Sequence, residues 1–297
     1  MLKHLSYVAL PHHPAGGFDH ADVHLKTGRV FVAHTANGTV EVIDGEKLHH
    51  ITTLGNCPEA SGVLCAQDEG LVFAAARASG RILMIDANSL AVASVFTVGS
   101  KPNGLAWDDR RKRLLIADVQ DNNARLLDPY TEGIEPALKL PGRPRWCSYD
   151  HEGERFLVNI NNPSGISVLK ADTLVQSSFL PISVTGAHGL DLDRAGRAFV
   201  ACDGKAIVTL DLKTGRELKV VPIAGSPDVI WCNPQYERLY CAIERPGVIE
   251  VVDTRSMTLS EQVGTEGGAH TLTFDRLRQR LYAFLPHRCG AAVYLEG

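Results

Sequence analysis

The sequence repeats with a period of about 42 residues, and this period constrains the fold more than any other feature. Seven short apolar runs each follow one polar residue, and these polar residues are spaced by 42, 42, 42, 43, 40 and 42 residues: Asp19, Ser61, Asn103, Arg145, His188, Asp228 and His270. Apolar runs that end in aspartate form a second marker with the same phase: Asp44, Asp86, Asp128, Asp211 and Asp253. Repeats of this length are typical of propeller blades.

Each repeat holds four strand-like segments separated by polar turns. In the third repeat these segments are residues 105–108, 113–117, 124–127 and 137–140. Short strands with regular turns and no helical period indicate an all-β fold. We therefore predict a seven-bladed β-propeller with four-stranded blades, formed as one domain by residues 1–297.

The last repeat has only three strand-like segments, which leaves a place for a strand from elsewhere in the chain. Residues 5–10 have the alternating pattern of a strand, and residues 11–17 connect them to the first repeat. Adding this strand to the last blade closes the ring and removes two exposed edges. The sequence therefore predicts closure by the N-terminal strand.

Charge and cysteine content exclude several classes of protein. The formal net charge is −4, which does not favour binding to nucleic acid or to anionic membranes. The seven cysteines form no CxxC pair, so neither a disulfide framework nor a thiolate zinc site is indicated. The chain has no long apolar run and its first ten residues are too polar for a secretory signal, so we expect a cytoplasmic protein. The sequence leaves the oligomeric state open.

Several strand motifs resemble those of the YVTN-type, or YncE-like, seven-bladed propellers. The resemblance covers the whole chain and is carried by residues 28–34, 40–44, 238–242 and 248–253. The phrases Pro102-Asn103-Gly104-Leu105 and Pro227-Asp228 are also similar to those that carry metal ligands in the gluconolactonase/SMP-30 group. That second resemblance implies a metal-dependent lactonase, with Asp19 as a loose counterpart of the acidic ligand from the first blade.

The seven opening residues are expected to line the mouth of a central channel, and one arc of them suits a metal ion. Neighbouring blades contribute the predicted ligands Asp19, His188, Asp228 and His270. Carboxylates and imidazoles suit a divalent ion such as zinc, manganese or iron. In the first blade, His20 is an alternative to Asp19, because the repeat can be aligned there in two ways that differ by one residue.

The opposite arc and the nearby loops supply candidate substrate-binding and catalytic groups. Predicted substrate contacts are Ser61, Asn103, Arg145, Asn159 and Glu244, with Arg145 as a planar fork for a carboxylate or phosphate. His34 and His287 end strands in adjacent blades and are candidate metal ligands or general acids or bases, and Arg145 is the third predicted catalytic residue.

These residues favour a metal-dependent enzyme of the lactonase or hydrolase type that acts on a small anionic substrate. A lyase or isomerase that uses the same metal as a Lewis acid is an alternative. A second alternative is a non-catalytic propeller that binds a protein or a small ligand, because propellers host many unrelated functions.

Overall fold

The computed structural model describes residues 1–14 and 17–297. Residues 15 and 16, which belong to the predicted connection to the first repeat, lie outside the described residues. Apart from one 3-10 helix, Arg77–Ser79, the regular elements in the described ranges are β-strands. No helix in this part of the chain has the length and apolar character needed to cross a membrane.

The N-terminal strand and the first three blades contain fourteen of the strands found in the described ranges. The N-terminal strand is β1 (Leu2–Ala9). The first blade comprises β2 (Ala21–His24), β3 (Arg29–His34), β4 (Thr39–Asp44) and β5 (His49–Leu54). The second comprises β6 (Ala60–Ala66), β7 (Leu71–Ala76), β8 (Arg81–Asp86) and β9 (Val92–Thr97). The third comprises β10 (Pro102–Asp108), β11 (Arg113–Asp118), β12 (Asn123–Asp128) and a divided outer strand, β13 (Gly133–Ile134) and β14 (Leu138–Lys139).

The remaining blades continue the same antiparallel order. The fourth comprises β15 (Pro144–Asp150), β16 (Arg155–Ile160), β17 (Gly165–Lys170) and β18 (Gln176–Pro181). The fifth comprises β19 (Ala187–Leu192), β20 (Arg197–Cys202), β21 (Ala206–Asp211) and β22 (Glu217–Pro222). The sixth comprises β23 (Pro227–Asn233), β24 (Arg238–Ile243), β25 (Val248–Asp253) and β26 (Thr258–Gly264). The last comprises β27 (Thr271–Asp275), β28 (Arg280–Leu285) and β29 (Gly290–Glu296).

The described strands form seven antiparallel sheets in a propeller ring, which confirms the predicted fold. Strand β1 pairs with β29 and completes the last blade, so closure by the N-terminal strand is also confirmed. The closing strand spans Leu2–Ala9 rather than residues 5–10, and the Met1 amine donates a 3.0 Å hydrogen bond to Glu296. The outer strand of the third blade is divided at Pro136 because proline has no N–H for the ladder.

The aspartates of the second sequence marker cap turns. The Asp44 carboxylate accepts the backbone N–H groups of Glu46 and Lys47 at 2.9 and 2.8 Å. The same arrangement recurs after the third strands of the second, third and sixth blades. This pattern confirms that the repeated aspartates have a structural role in turns.

Arginines at the start of several second strands tie adjacent blades together. Arg29 donates to the carbonyl of Ala87 at 2.6 Å, and Arg197 donates to that of Thr254 at 2.6 Å. Arg155 makes an equivalent bond to a carbonyl 57 residues further along the chain. Each of these carbonyls directly follows the third strand of the neighbouring blade, so each guanidinium gives a donor to a backbone group just beyond that strand.

The chain divides into two compact units. Unit one is Met1–Pro102, Ala242–Glu250 and Glu261–Gly297, and unit two is Asn103–Cys241 and Val251–Ser260. In unit one a core of side chains such as Phe31 and Val72 packs between the first and second blades. In unit two an equivalent core, with Leu126 and Phe156, packs between the third and fourth blades. The single-domain prediction stays a prediction.

Candidate functional site

A group of polar side chains in unit two surrounds His188. The imidazole Nδ1 lies 2.9 Å from Asp203 Oδ1, and Nε2 lies 2.9 Å from Asp228 Oδ1. Strand β19 supplies His188, the turn after β20 supplies Asp203, and β23 supplies Asp228. We call these three residues the His188 cluster; its imidazole bridges two carboxylates.

Close strand packing fixes the position of the cluster. A Cβ atom on Gly189 would lie 2.3 Å from the carbonyl oxygen of Asp228, so only glycine permits this approach of β19 to β23. Asn159 donates from Nδ2 to the carbonyls of His188 and Gly189 at 3.0 and 2.9 Å. The backbone on both sides of the imidazole is therefore held by packing and hydrogen bonds.

Asp203 is supported from three directions. Its Oδ1 accepts the Ser226 hydroxyl at 3.2 Å in addition to His188, and its Oδ2 accepts Asn161 Nδ2 at 3.0 Å. Partial burial raises the pKa of Asp203, but the hydrogen bond and charge of His188, helped by Arg145, outweigh burial and lower it. Asp203 is therefore an ionised carboxylate at neutral pH, and 35% of its side-chain surface is exposed.

The two carboxylates determine the charge of His188. Burial lowers the pKa of the imidazole, but the Asp228 charge and the hydrogen bonds to both aspartates raise it to about 9. The imidazole is consequently protonated at neutral pH; Nδ1 donates to Asp203, and Nε2 lies at ion-pair distance from Asp228.

Arg145 lies beside this cluster without joining it. It follows Pro144 in a bulge of β15 opposite β16, and a Cβ on Gly104 would lie 2.3 Å from its carbonyl oxygen. Across residues 1–14 and 17–297, the guanidinium makes no hydrogen bond or ion pair, and its Nε is buried without a partner. Its charge still acts on both His188 and Asp203.

The predicted metal ligands divide between the units. Asp19 and His270 belong to unit one, whereas His188 and Asp228 belong to unit two. Asp19 forms a close ion pair with His20 and lies 3.5 Å from Arg77, and His270 Nε2 lies 2.7 Å from the Phe18 carbonyl oxygen. The predicted donor atoms are thus engaged with protein groups. Within the described ranges, no group of three or more His, Cys, Asp or Glu has an arrangement that could hold a metal ion.

Two candidate residues of unit one are fully buried. His34 packs against the Phe18 ring with 4.5 Å between centroids and lies 3.2 Å from Glu41 Oε1. The Ser61 hydroxyl donates to the Pro102 carbonyl at 3.1 Å. As placed, neither side chain has surface that a substrate can touch. Their predicted catalytic and substrate-binding roles stay predictions.

The remaining candidates differ in exposure. Asn103 and Asn159 are buried, and the Nδ2 group of Asn159 is used by the backbone bonds described above. Glu244 is half-exposed and lies 3.6 Å from Arg245. His287 is exposed, and its backbone N–H donates to Glu266 at 2.6 Å. Of the sequence-predicted site residues, Arg145, Asn159, His188 and Asp228 come together in unit two.

Sequence reasoning missed Asp203, whose carboxylate joins the imidazole of His188 to the side chains of Ser226 and Asn161. Asp203 follows Asn161 by 42 residues, so it occupies the same position of the repeat, directly after a second strand. The period of 42 residues was used to align the opening residues of all seven blades. It was not used to align the loop residues that directly follow the second strands. A complete scan of the loop positions would have found it.

Comparisons with known proteins support the fold alone. No family model matches the chain, and no curated protein matches it. A solved structure of "Kuenenia stuttgartiensis Hydrazine Synthase" superposes with a TM-score of 0.85 over 96% of this chain and 97% of that chain, at 12% sequence identity. Likeness at this identity shows that the two chains share the propeller fold. Membership of the YncE-like or gluconolactonase families stays a prediction.

The first prediction concerns the glycine beneath the cluster. Gly189→Ala is expected to push β23 away and to destabilise the protein by about 1–3 kcal/mol, because the new Cβ overlaps the Asp228 carbonyl. Urea titration measures the change. Gly196→Ala is not a suitable control because Gly196 has a positive φ; Gly264→Ala is, since a Cβ there meets nothing within 4 Å. Equal destabilisation by both variants would contradict the close-packing argument.

Proposed function

We propose that this protein is a small-molecule-binding propeller that holds an anionic ligand at Arg145, beside the His188 cluster. The observation that carries the proposal is the Arg145 guanidinium, which makes no hydrogen bond or ion pair with the described residues although its Nε is buried. A guanidinium has five donors in a planar fork that matches a carboxylate or a phosphate.

The energetics of Arg145 favour an anion. A charge-assisted hydrogen bond contributes about 1.5–3 kcal/mol. Because Nε has almost no accessible surface, a ligand oxygen accepts from the terminal Nη groups of the half-buried Arg145, which have no acceptor among the described residues. Because Gly104 lets the backbone of Arg145 approach β10 closely, the point from which the Arg145 side chain extends is already constrained before a ligand binds.

A metal-dependent hydrolase is supported less well by the same residues. Each His188 nitrogen lies 2.9 Å from a carboxylate oxygen, and the raised pKa keeps both nitrogens protonated, so the imidazole offers no lone pair to a metal. The predicted zinc, manganese or iron site therefore does not fit His188 in this arrangement. The proposed function depends on Arg145 and needs no metal.

A catalytic role at this site is a second candidate, favoured by the position of Asp203. Its ionised carboxylate is 35% exposed and is the accessible base beside Arg145. Hydrolysis of an anionic lactone or ester requires a base that takes a proton from water, and a lyase or isomerase requires one that takes a proton from carbon. Turnover of a small panel of anionic lactones, followed by acid release at constant pH, tests this candidate separately from binding.

Calorimetric titration of the full chain with acetate and with inorganic phosphate tests ligand binding. We expect Arg145→Gln to weaken binding of the preferred anion by about 10- to 100-fold, the equivalent of one charge-assisted hydrogen bond. Arg143→Gln is the matched control, because Arg143 is an exposed arginine two residues away. No binding by the parent protein, or an equal loss in both variants, would refute the proposal.

A further inference from the structure

The charges around Arg145 are separated into two poles. Arg145 is the positive pole. The His188 cluster carries two carboxylates and one imidazole, so it is negative overall whether or not the imidazole is protonated. The poles lie on neighbouring strands, because β15, which carries Arg145, packs against β19, which carries His188. They are nevertheless not in contact, because Arg145 makes no ion pair within 4.0 Å in the described part of the chain.

Asp203 is the part of the negative pole best placed to meet a ligand. Its two oxygens accept hydrogen bonds from His188, Ser226 and Asn161. A carboxylate has about four acceptor positions, so Asp203 keeps capacity for one more donor. Its side chain is also more exposed than those of the other two members of the cluster, at 35% against 16% for His188 and 19% for Asp228.

We propose that the ligand of this site is a small zwitterion, an amino acid type of molecule whose carboxylate pairs with Arg145 and whose ammonium pairs with Asp203. This inference rests on the proposed function, because it assigns the second end of the ligand that Arg145 binds. Two opposite charges on packed strands that make no ion pair with each other are complementary to the two charges of such a molecule. An ammonium has three donors and no acceptor, so it matches the accessible acceptor of Asp203.

The ligand's two charges distinguish it from a simple anion. An anion alone is attracted by the charge of Arg145 but is repelled by the charges of Asp203 and Asp228. A cation alone gains at Asp203 but is repelled by Arg145. A zwitterion makes a favourable charge interaction at both ends, and its zero net charge matches the zero net charge of the two poles together. Each pole binds the end of opposite charge, and this sets the orientation of the ligand.

The test is calorimetric titration of the full chain with glycine, β-alanine and 4-aminobutanoate. Each is compared with the carboxylate of equal chain length, namely acetate, propanoate and butanoate, and with ethylamine. We expect one of the amino acids to bind at least 10-fold more tightly than its matched carboxylate, and ethylamine to bind more weakly than either. The chain length that binds best then reports the separation of the poles.

Two variants assign the ammonium to its partner. Asp203→Asn is expected to remove the advantage of the amino acid over its matched carboxylate, because the ammonium loses its charged acceptor and the carboxylate loses a repelling charge. Asp203→Glu keeps the charge but extends the side chain by one methylene, so the preferred ligand becomes shorter by one methylene. This second variant still tests the inference if Asp203→Asn fails to fold.

The outcomes separate the inference from the proposed function. Carboxylates that bind through Arg145, with amino acids no tighter, would overturn the zwitterion inference and leave the proposed function standing. If neither class binds, the proposed function fails as well. An amino acid advantage that survives in Asp203→Asn, or a preferred ligand length that does not change in Asp203→Glu, would also overturn the assignment, because the ammonium would then lie elsewhere.

Discussion

Replacing Glu41 with leucine is expected to lower the free energy of unfolding by about 3–5 kcal/mol, the usual result when one partner of a buried ionic network is removed. Glu41 is fully buried in the middle of the first blade. Its carboxylate lies 3.2 Å from His34 Nδ1 and 3.0 Å from His50 Nε2, and it accepts the hydroxyls of Thr39 and Thr53 at 2.6 and 2.5 Å.

The ionised form of Glu41 is the one that the protein stabilises. Burial raises the pKa of this carboxyl, but hydrogen bonds from His34 and the two threonines outweigh burial and lower it. Leucine fills much of the same volume and accepts no hydrogen bond. The cost of the substitution therefore comes from the donors that lose their acceptor, and above all from His34, which has no exposed surface through which water can replace it.

The second blade provides the control. At the three equivalent positions, 42 residues further along, it has apolar residues: Ala76, Leu83 and Val92. The triple variant His34→Ala, Glu41→Leu, His50→Val copies that blade and removes donors together with the acceptor. We expect it to be more stable than Glu41→Leu alone, measured as the urea midpoint at pH 7. A triple variant less stable than the single one would show that loss of packing, rather than unpaired polar groups, dominates.

The period of 42 residues was enough to predict the fold because it reports strand packing directly. Each blade must present the same apolar faces to its neighbours, so the pattern that fills the core also marks the repeat. The closing strand followed from the same reasoning, since a blade with three strands leaves an exposed edge. The strand spans Leu2–Ala9 and not residues 5–10, because its pairing continues to the N-terminus, where the Met1 amine contacts Glu296. The pattern of apolar and polar residues does not specify this contact.

The site was predicted only in part, because periodicity shows which residues open a strand but not which side chains meet. Arg145, His188 and Asp228 were identified from the inner strands. Asp203, which pairs with His188, belongs to a turn, where no apolar pattern marks the direction of its side chain.

For His34, in contrast, the sequence held a signal of burial. Its position at the end of β3 suggested a loop side chain near the surface, yet it is buried against Phe18 and Glu41. A signal was present in the sequence, because Glu41 interrupts the apolar run Val40-Glu41-Val42 at a position that is leucine in the second blade. A charged residue inside a buried strand requires polar partners within the same blade, and histidine is one of the few that can be buried with it.

The pKa of His188 is expected to be about 9, and Asp228→Asn is expected to lower this pKa by more than one pH unit. Burial alone would lower this pKa, and the charge of Asp228 is the largest of the effects that raise it. Imidazole nitrogen chemical shifts of the full chain, recorded from pH 5 to 10, measure both values. Asp211→Asn is the control, because Asp211 caps a turn and makes no contact with His188.

The same shift links stability to pH. The folded-state pKa of about 9 lies above the ordinary value of 6.5, so the folded protein binds the proton more tightly than the unfolded chain. The resulting stabilisation, about 3 kcal/mol for a shift of this size, is fully present below pH 6.5 and is lost as the pH rises through 9. The parent protein should therefore lose stability between pH 7 and 9.5 more steeply than Asp228→Asn. If His188 instead titrates below 6.5 and its nitrogen signals shift on addition of zinc, the imidazole is neutral and available as a ligand, and the metal site predicted from the sequence would replace the ion cluster.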